Sequence, residues 1–253
     1  MSKNLFNDDW NVRRKISGFV DLMGGAASRK VTLPHDAMIE FDRSVDAAGG
    51  ASSGFFPGGE VEYTKRFHVP LAWREQRVTI EFDGVYRDAM VYVNDEFAGQ
   101  WKYGYSVFRV SLDAHLRYGQ ENVVRVEARA NQDSRWYTGL GIYRDVHLVV
   151  TPLAHIVDDE IRITTPDVDE ERAVVESAVL IRNQSTGTRR LSLEVELRDA
   201  EGTLVAHDRG PVTIRPNATT TLRNRLYVDA PRRWGVGGPH LYEFRARLTV
   251  TEG

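Results

Sequence analysis

The 253-residue sequence has no cysteine, only nine prolines and no excess of charge of either sign. Without cysteine, disulfides, thiolate nucleophiles and cysteine-liganded zinc are excluded. The 33 basic and 36 acidic residues leave a net charge of only −3, so the chain has no strong positive field that would attract nucleic acid or an anionic lipid surface. We therefore expect neither nucleic acid nor a membrane among its partners.

The amino end also lacks a secretory signal, which would need an apolar core of roughly 7–15 residues and a small-residue cleavage site. Cytoplasmic location is the resulting prediction. Hydrophobic residues make up 42% of the chain and charged residues 27%. Both values are ordinary for a globular protein, so a packed core is expected.

Hydrophobic and polar residues alternate along much of the chain with a period of two, which is the pattern of half-buried β-strands. The clearest example is residues 191–198, and residues 124–129 and 242–250 repeat it. We find no amphipathic run of 12 or more residues with the helical period. The prediction is an all-β chain of antiparallel strands, with no crossover helices available for a parallel nucleotide-binding sheet.

A domain boundary is predicted near residues 150–154, because the apolar run 146–150 ends at Thr151-Pro152 and proline cannot continue a strand ladder. Residues 1–153 form the first predicted domain. Residues 154–253 form the second, with about seven strand-like segments, as in an immunoglobulin-like sandwich. Residues 42–59, rich in glycine and serine around Phe55-Phe56, predict a long loop anchored by its rings.

Sequence patterns for metal, cofactor or nucleophile sites are missing. The seven histidines are scattered without the spacing of a metal site. Gly139-Leu140-Gly141 lacks the third glycine of a dinucleotide fingerprint, and the chain has no Gly-x-Ser-x-Gly. We therefore predict no metal and no cofactor. A pair of carboxylates for glycoside hydrolysis stays open at this point, because the 36 acidic residues offer many candidates and sequence spacing cannot supply the separation of roughly 5 Å that a retaining enzyme needs.

The most informative stretch is residues 131–146. It combines an amide, a carboxylate, a guanidinium and two aromatic rings, namely Asn131, Asp133, Arg135, Trp136 and Tyr137. This combination suits a sugar, since hydroxyl groups need planar hydrogen-bonding partners and the C–H face of the sugar packs on a ring. The alternative is that these side chains only fix the loop to its own sandwich.

A second aromatic group has the same two interpretations. Trp101, Tyr103 and Tyr105 are spaced by two residues, which places like side chains on one face of a strand.

Six motifs, in order, make the chain resemble the amino-terminal part of glycoside hydrolase family 2, the family of β-galactosidases, β-glucuronidases and β-mannosidases. They are residues 33–37, 58–70, 82–94, 99–108, 119–122 and 134–146, followed by Arg233-Trp234 and residues 239–242. The resemblance implies a jelly-roll, galactose-binding-like sandwich followed by an immunoglobulin-like sandwich.

The resemblance also implies a third domain, a TIM barrel that carries the two glutamates of a retaining mechanism. Residues 1–253 contain no stretch for such a barrel, which takes about 250 residues more. We therefore expect this chain to be the non-catalytic portion of an enzyme that acts on β-glycosides, preferentially β-galactosides. Without the barrel, the chain is expected to be inactive. Asn131, Asp133, Arg135 and Trp136, with Tyr137 as a weaker candidate, would edge the pocket of that barrel.

Two alternatives to this interpretation stay open. The chain could be a free-standing carbohydrate-binding module without hydrolase activity, or a scaffold that docks the barrel and mediates oligomerisation. The predicted partners are thus a carbohydrate and the absent barrel, with homo-oligomers as an open alternative.

Overall fold

The computed structural model describes residues 2–15, 26–130 and 136–251. These residues form sixteen β-strands and four short 3-10 helices. None of the described helices is long and apolar enough to cross a membrane. The chain divides into two compact units, residues 1–152 and 153–253.

The first unit is a sandwich of ten strands in two antiparallel sheets. One sheet has the order β1-β10-β5-β8 and the other the order β3-β2-β4-β9-β6-β7. The strands are β1 (Ser2–Leu5), β2 (Trp10–Lys15), β3 (Arg29–Val31), β4 (Gly59–Val69), β5 (Gln76–Phe82), β6 (Ala89–Val93), β7 (Glu96–Trp101), β8 (Phe108–Ser111), β9 (Gln120–Ala130) and β10 (Val146–Pro152).

The core of the first unit comes directly from the period-two pattern. On β9, Val124, Val126 and Ala128 are buried while the residues between them are less buried. Trp10 is fully buried, and its Nε1 donates to the carbonyl oxygen of Phe6 at 2.7 Å. The buried indole therefore leaves no unsatisfied donor. With two antiparallel sheets around this core, the predicted all-β jelly-roll sandwich is confirmed.

The second unit is an immunoglobulin-like sandwich of two three-stranded antiparallel sheets, in the orders β11-β12-β15 and β14-β13-β16. Its strands are β11 (Ala154–Val168), β12 (Arg172–Asn183), β13 (Arg189–Arg198), β14 (Leu204–Ile214), β15 (Ala218–Asp229) and β16 (Glu243–Val250).

The number of strands in the second unit differs from the expectation of about seven, because the described residues form six. The segment between β15 and β16 contains Pro231 and Pro239 and forms a loop, with a short bridge between Gly235 and Gly238. Proline has no N–H to donate to a ladder, so this segment adds no strand.

The core of the second unit lies between β12 and β13. Val179 and Ile181 on β12 and Leu191, Leu193 and Val195 on β13 are essentially inaccessible to solvent. Burying a leucine side chain of this kind stabilises the fold by roughly 1.5–3 kcal/mol relative to an exposed one.

We predict that Leu193→Ala lowers the free energy of unfolding of the second unit by about 2–5 kcal/mol, through lost burial and a residual cavity. Urea denaturation followed by circular dichroism measures the change. Leu204→Ala, at an exposed position of β14, is the matched control and should change stability by less than about 1 kcal/mol. Equal losses in the two variants would contradict the assigned core.

Candidate functional site

Two of the five residues predicted to edge a pocket are described by the structure. Trp136 is 61% exposed, and its Nε1 donates to the hydroxyl of Tyr105 at 3.4 Å. Tyr137 donates its phenol proton to Oδ2 of Asp36 at 2.5 Å. Asn131, Asp133 and Arg135 lie outside the described residues, so their placement at a pocket edge stays a prediction.

Asp36 is the residue that fixes this loop. Its Oδ1 accepts hydrogen bonds from the backbone N–H groups of Met38 and Leu140, both at 2.9 Å. The backbone beside it adds two further bonds, from His35 N to Ile142 O and from Ala37 N to Leu140 O, both 2.8 Å. The Asp36 carboxylate and these two backbone bonds together join residues 35–38 to residues 137–142.

Sequence reasoning recognised the motif around Asp36 but did not include this residue among the site candidates. The available signal was an aspartate followed by a turn, since Asp side chains commonly accept a bond from the N–H two residues further along. The bonds to Leu140 and Tyr137 span more than 100 residues of sequence, so only the fold reveals them.

Tyr137 is held as a neutral donor. Partial burial, together with the carboxylate of Asp36 that accepts its proton, raises the pKa of the Tyr137 phenol well above its usual value. Its ring also packs edge-on against Phe56, with centroids 5.3 Å apart, and the guanidinium of Arg43 lies over Phe56 at 4.8 Å. Phe56 therefore anchors the long loop of residues 42–59, while Phe55 stays exposed.

The second aromatic group is not on one strand face, which corrects the expectation. Strand β7 ends at Trp101, and Tyr103 and Tyr105 lie in the loop before β8. The physical reason is at Gly104, where an added Cβ would lie 2.3 Å from the ring of Tyr86. The carbonyl of Gly104 accepts a hydrogen bond from the hydroxyl of Tyr143 at 2.8 Å. The Tyr143 side chain, and not a neighbouring strand, therefore binds the backbone at Gly104.

Tyr103, Tyr105 and Trp136 together form a surface that we call the aromatic shelf. The ring centroids of Tyr103 and Tyr105 are 5.8 Å apart, and Tyr105 packs on Tyr86 at 5.3 Å. All three shelf rings are exposed. Exposed rings fixed by neighbours offer flat apolar faces with polar edges, which suits a ligand that has both C–H groups and hydroxyls.

The two segments of the shelf are joined through Gly141. Its backbone pairs with Tyr86, whose N–H donates to Gly141 O at 2.9 Å and whose carbonyl accepts from Gly141 N at 2.7 Å. Gly141 has φ of +120°, and a Cβ there would lie 2.1 Å from the hydroxyl of Tyr63. The structure thus brings together the two aromatic groups that the sequence presented separately.

Trp101 supports the loop and is not part of the shelf. It stacks on Phe108 with centroids 5.8 Å apart, and its Nε1 donates to Ser106 Oγ at 3.1 Å.

The charged groups beside Asp36 in the sequence are also paired. His35 Nδ1 lies 2.7 Å from the Tyr63 hydroxyl, and His35 Nε2 lies 3.0 Å from Glu40 Oε1. Arg29 forms an ion pair with the same Glu40 oxygen. Burial opposes ionisation of Glu40, but the bonds from Arg29 and His35 outweigh it and hold its pKa below the usual range. These contacts bind the Glu40 carboxylate to its neighbours.

One group of residues in the described part of the chain has metal-ligand chemistry. Ligand atoms of Glu81, Asp83 and His147 lie within 4.8 Å of one another. Both oxygens of Glu81 are already engaged, by Lys3 Nζ at 2.6 Å and by Arg109 Nε at 2.5 Å. A divalent cation at Glu81 would therefore have to displace two compensating positive charges.

A jelly-roll sandwich bearing an aromatic shelf, followed by an immunoglobulin-like sandwich, defines the class of this protein as a tandem β-sandwich chain. Two sequence profiles divide it in the same way. The profile for the sugar binding domain of glycosyl hydrolases family 2 matches residues 54–152, and the profile for glycosyl hydrolases family 2 matches residues 154–253. The chain belongs to glycosyl hydrolases family 2.

Individual relatives agree with the family. A β-galactosidase of Bacteroides ovatus is 35% identical over 98% of this chain and 30% of its own length. A β-glucuronidase of Bacteroides fragilis is 27% identical over 96% of this chain and 35% of its own length. The crystal structure of a glycosyl hydrolase family 2 member from Bacteroides cellulosilyticus superposes with a TM-score of 0.87 at 29% identity, covering 98% of this chain and 33% of that one. The chain thus spans about a third of the length of these relatives.

Asp36→Ala should detach the loop, because it removes three hydrogen bonds at once. We predict a loss of about 2–4 kcal/mol in the free energy of unfolding of the first unit, since bonds to a charged acceptor are worth about 1.5–3 kcal/mol each before local relaxation. The pKa of Tyr137, followed by NMR of labelled tyrosine, should fall toward its ordinary value of about 10. Asp46→Ala, at an exposed carboxylate, should change neither quantity. An unchanged pKa of Tyr137 in the Asp36→Ala variant would contradict the assigned hydrogen bond between Tyr137 and Asp36.

Glu81 should make stability depend on pH in the acid range. Burial opposes its ionisation, but hydrogen bonds from Lys3 and Arg109 outweigh burial and lower its pKa in the folded state. Its stabilising effect is therefore complete above the unfolded-state pKa of about 4.3 and is lost as the pH falls through the lower folded-state value.

The measurement is urea unfolding of wild type and Glu81→Gln between pH 7 and pH 3. We predict a less stable variant at pH 7 and a difference that shrinks below about pH 4. Glu75→Gln, at an exposed position, is the control, and a constant difference for Glu81→Gln across the range would refute the pairing.

Proposed function

We propose that this chain forms the non-catalytic, amino-terminal portion of a β-glycosidase that acts on β-galactosides. The observation that carries the proposal is the match of two family 2 domains across residues 54–253, in a chain that spans about a third of its relatives. The 35% identity to a protein named a β-galactosidase favours β-galactosides over other β-glycosides.

The aromatic shelf supports a role for this chain at the edge of a sugar pocket. Strand β9 ends at Ala130, and the predicted residues Asn131, Asp133 and Arg135 connect it to Trp136 within a few residues. Their amide, carboxylate and guanidinium groups match sugar hydroxyls. In this proposal Trp136 lies against the C–H face of the sugar, and the polar residues fix its orientation.

Bond cleavage itself is assigned to a domain outside this chain. Retaining hydrolysis needs an acid and a nucleophilic carboxylate about 5–5.5 Å apart, with free access to the glycosidic bond. Asp36 accepts three hydrogen bonds and Glu40 is paired with Arg29 and His35. These two carboxylates are engaged in structural contacts, and in this proposal the chain binds, orients and shields the sugar.

The test compares two proteins, the purified 253-residue chain and the product of the full reading frame from which it comes. We predict that the full product releases nitrophenol from nitrophenyl β-galactoside and that the 253-residue chain releases none. In the full product, Trp136→Ala should lower kcat/KM by roughly tenfold, the loss of about 1.4 kcal/mol of transition-state binding.

Trp234→Ala is the matched control, because Trp234 lies in the second unit and is as exposed as Trp136, at 63% against 61%. It should leave kcat/KM unchanged. Release of nitrophenol by the 253-residue chain alone, or equal losses in the two tryptophan variants, would overturn the proposal.

A free-standing carbohydrate-binding module is the second candidate, and the exposed shelf favours it. It requires saturable binding of galactose or oligosaccharides by the 253-residue chain, measured by calorimetry and abolished by Trp136→Ala. A reading frame that ends at residue 253, together with such binding, would replace the first proposal by this one.

A further inference from the structure

A polar pocket of about 420 Å³ lies on the sheet β11-β12-β15 of the second unit. This volume is within the range of roughly 300–1,000 Å³ that small-molecule sites occupy. The pocket is lined mostly by polar or charged residues, among them Arg162, Thr164, Glu176, Arg223 and Arg225, and by Ala178. Such a lining favours a charged or hydroxylated ligand over an apolar one.

The strand register places Arg162 and Arg223 on either side of Ala178. Arg162 is the partner of Ala178 in the β11–β12 pairing, and Arg223 is its partner in the β12–β15 pairing. Residues directly opposite on neighbouring strands share a face of the sheet. In the next row, Ser177 and Asn224 are buried, so the row of the two arginines faces outward.

The two guanidinium groups are close enough to bind one ligand. Neighbouring strands lie about 4.7–4.9 Å apart, so the Cα atoms of Arg162 and Arg223 are separated by about 10 Å across β12. Only a methyl group stands between them at Ala178, whereas the next outward residues of β12 are the larger Glu176 and Leu180. The surface is therefore lowest where the two long cationic side chains flank it.

Both arginines lack a counter-ion. In the described part of the chain, neither Arg162 nor Arg223 lies within ion-pair distance of a carboxylate. Other arginines of the same unit do pair with a glutamate, namely Arg198, Arg225, Arg232, Arg233 and Arg245. Two like charges facing each other across one strand repel, and an anion between them would offset this repulsion.

The remaining polar groups of the pocket suit hydroxyls. Arg225 donates to Oε1 of Glu176 from Nε at 2.9 Å and from a terminal nitrogen. Both bonds end on Oε1, so Oε2 is left as an acceptor among the described residues. Thr164, opposite Glu176 in the register, adds a hydroxyl. With three arginines and one glutamate, the pocket has a net charge of 3 − 1 = +2.

The arrangement of the two arginines favours a tetrahedral anion. A guanidinium binds a carboxylate or a phosphate through a planar fork of N–H donors. Two forks that approach from opposite sides need oxygen atoms on both sides of the anion. A sulfate or phosphate group presents oxygens in every direction, whereas a carboxylate presents both of its oxygens on one side.

We infer that Arg162 and Arg223 bind a sulfate or phosphate group above Ala178. The group comes either from the free inorganic anion or from an ester whose hydroxyls contact Thr164 and Glu176. All residues of this pocket belong to the second unit, and those of the aromatic shelf belong to the first. The inference therefore goes beyond the proposed function and does not depend on it.

The test is a titration of the 253-residue chain with sodium sulfate or sodium phosphate, followed by NMR of the arginine Nε–H signals. Sodium chloride keeps the ionic strength constant, because salt screens exposed charges. We predict saturable shifts of the Arg162 and Arg223 signals. Arg162→Gln and Arg223→Gln should each weaken binding at least about tenfold, since each removes charge-assisted hydrogen bonds.

Two further variants separate a specific site from a general effect of positive charge. Ala178→Glu places a carboxylate between the arginines and should abolish binding although both arginines remain. Arg182→Gln, at an exposed position of β12, removes the same charge outside the pocket and should leave the affinity unchanged. Undiminished binding in both arginine variants of the pocket, or an equal loss in Arg182→Gln, would overturn the inference.

The source of the anion is tested with galactose 6-sulfate, inorganic sulfate, acetate and galactose. Binding of the ester at least about threefold tighter than sulfate, with the gain lost in Thr164→Val, assigns the site to an ester. Equal affinity assigns it to the free anion. Acetate that binds as tightly as sulfate would overturn the tetrahedral assignment. Galactose alone should move neither signal, so this inference and the proposed function fail separately.

Discussion

The long strands β9, β12 and β13 each bury one face, and each buried face needs an opposing layer to cover it. In the first unit, the inward residues of β9, such as Val126, are covered by the second sheet and are fully buried. In the second unit, Leu193 on β13 is likewise fully buried between the sheets. The need to cover apolar faces thus explains where the core of each unit lies.

The aromatic shelf depends on this layered core and on one carboxylate. Sheets position β7, β8 and β10, but the loops that carry Tyr105 and Trp136 have no ladder of their own. Asp36 and the Tyr86–Gly141 pairing supply the missing hydrogen bonds. The rings are therefore held from behind while their faces stay open to solvent, which is the arrangement a sugar-binding surface requires.

The fold could be predicted from the sequence because the period of two is a local signal. Alternation over residues 191–198 and 242–250 became β13 and β16, and the resemblance to family 2 supplied the order of the two sandwiches. The site was only partly predictable, because its contacts are not local. Tyr103 and Tyr105 have strand-like spacing, yet the ring of Tyr86 and the hydroxyl of Tyr143 hold Gly104 in a loop. Nothing in the spacing of Asp36 and Tyr137 indicates that they meet.

The most direct test of the shelf as a sugar platform uses the five tryptophans of the chain as reporters. Each indole N–H gives one signal in an NMR spectrum of the labelled protein, and methyl β-galactoside is added in steps. The account predicts a saturable shift of the Trp136 signal, with the signals of Trp10 and Trp234 unmoved. A titration that leaves Trp136 unmoved, or that shifts Trp234 instead, would contradict it.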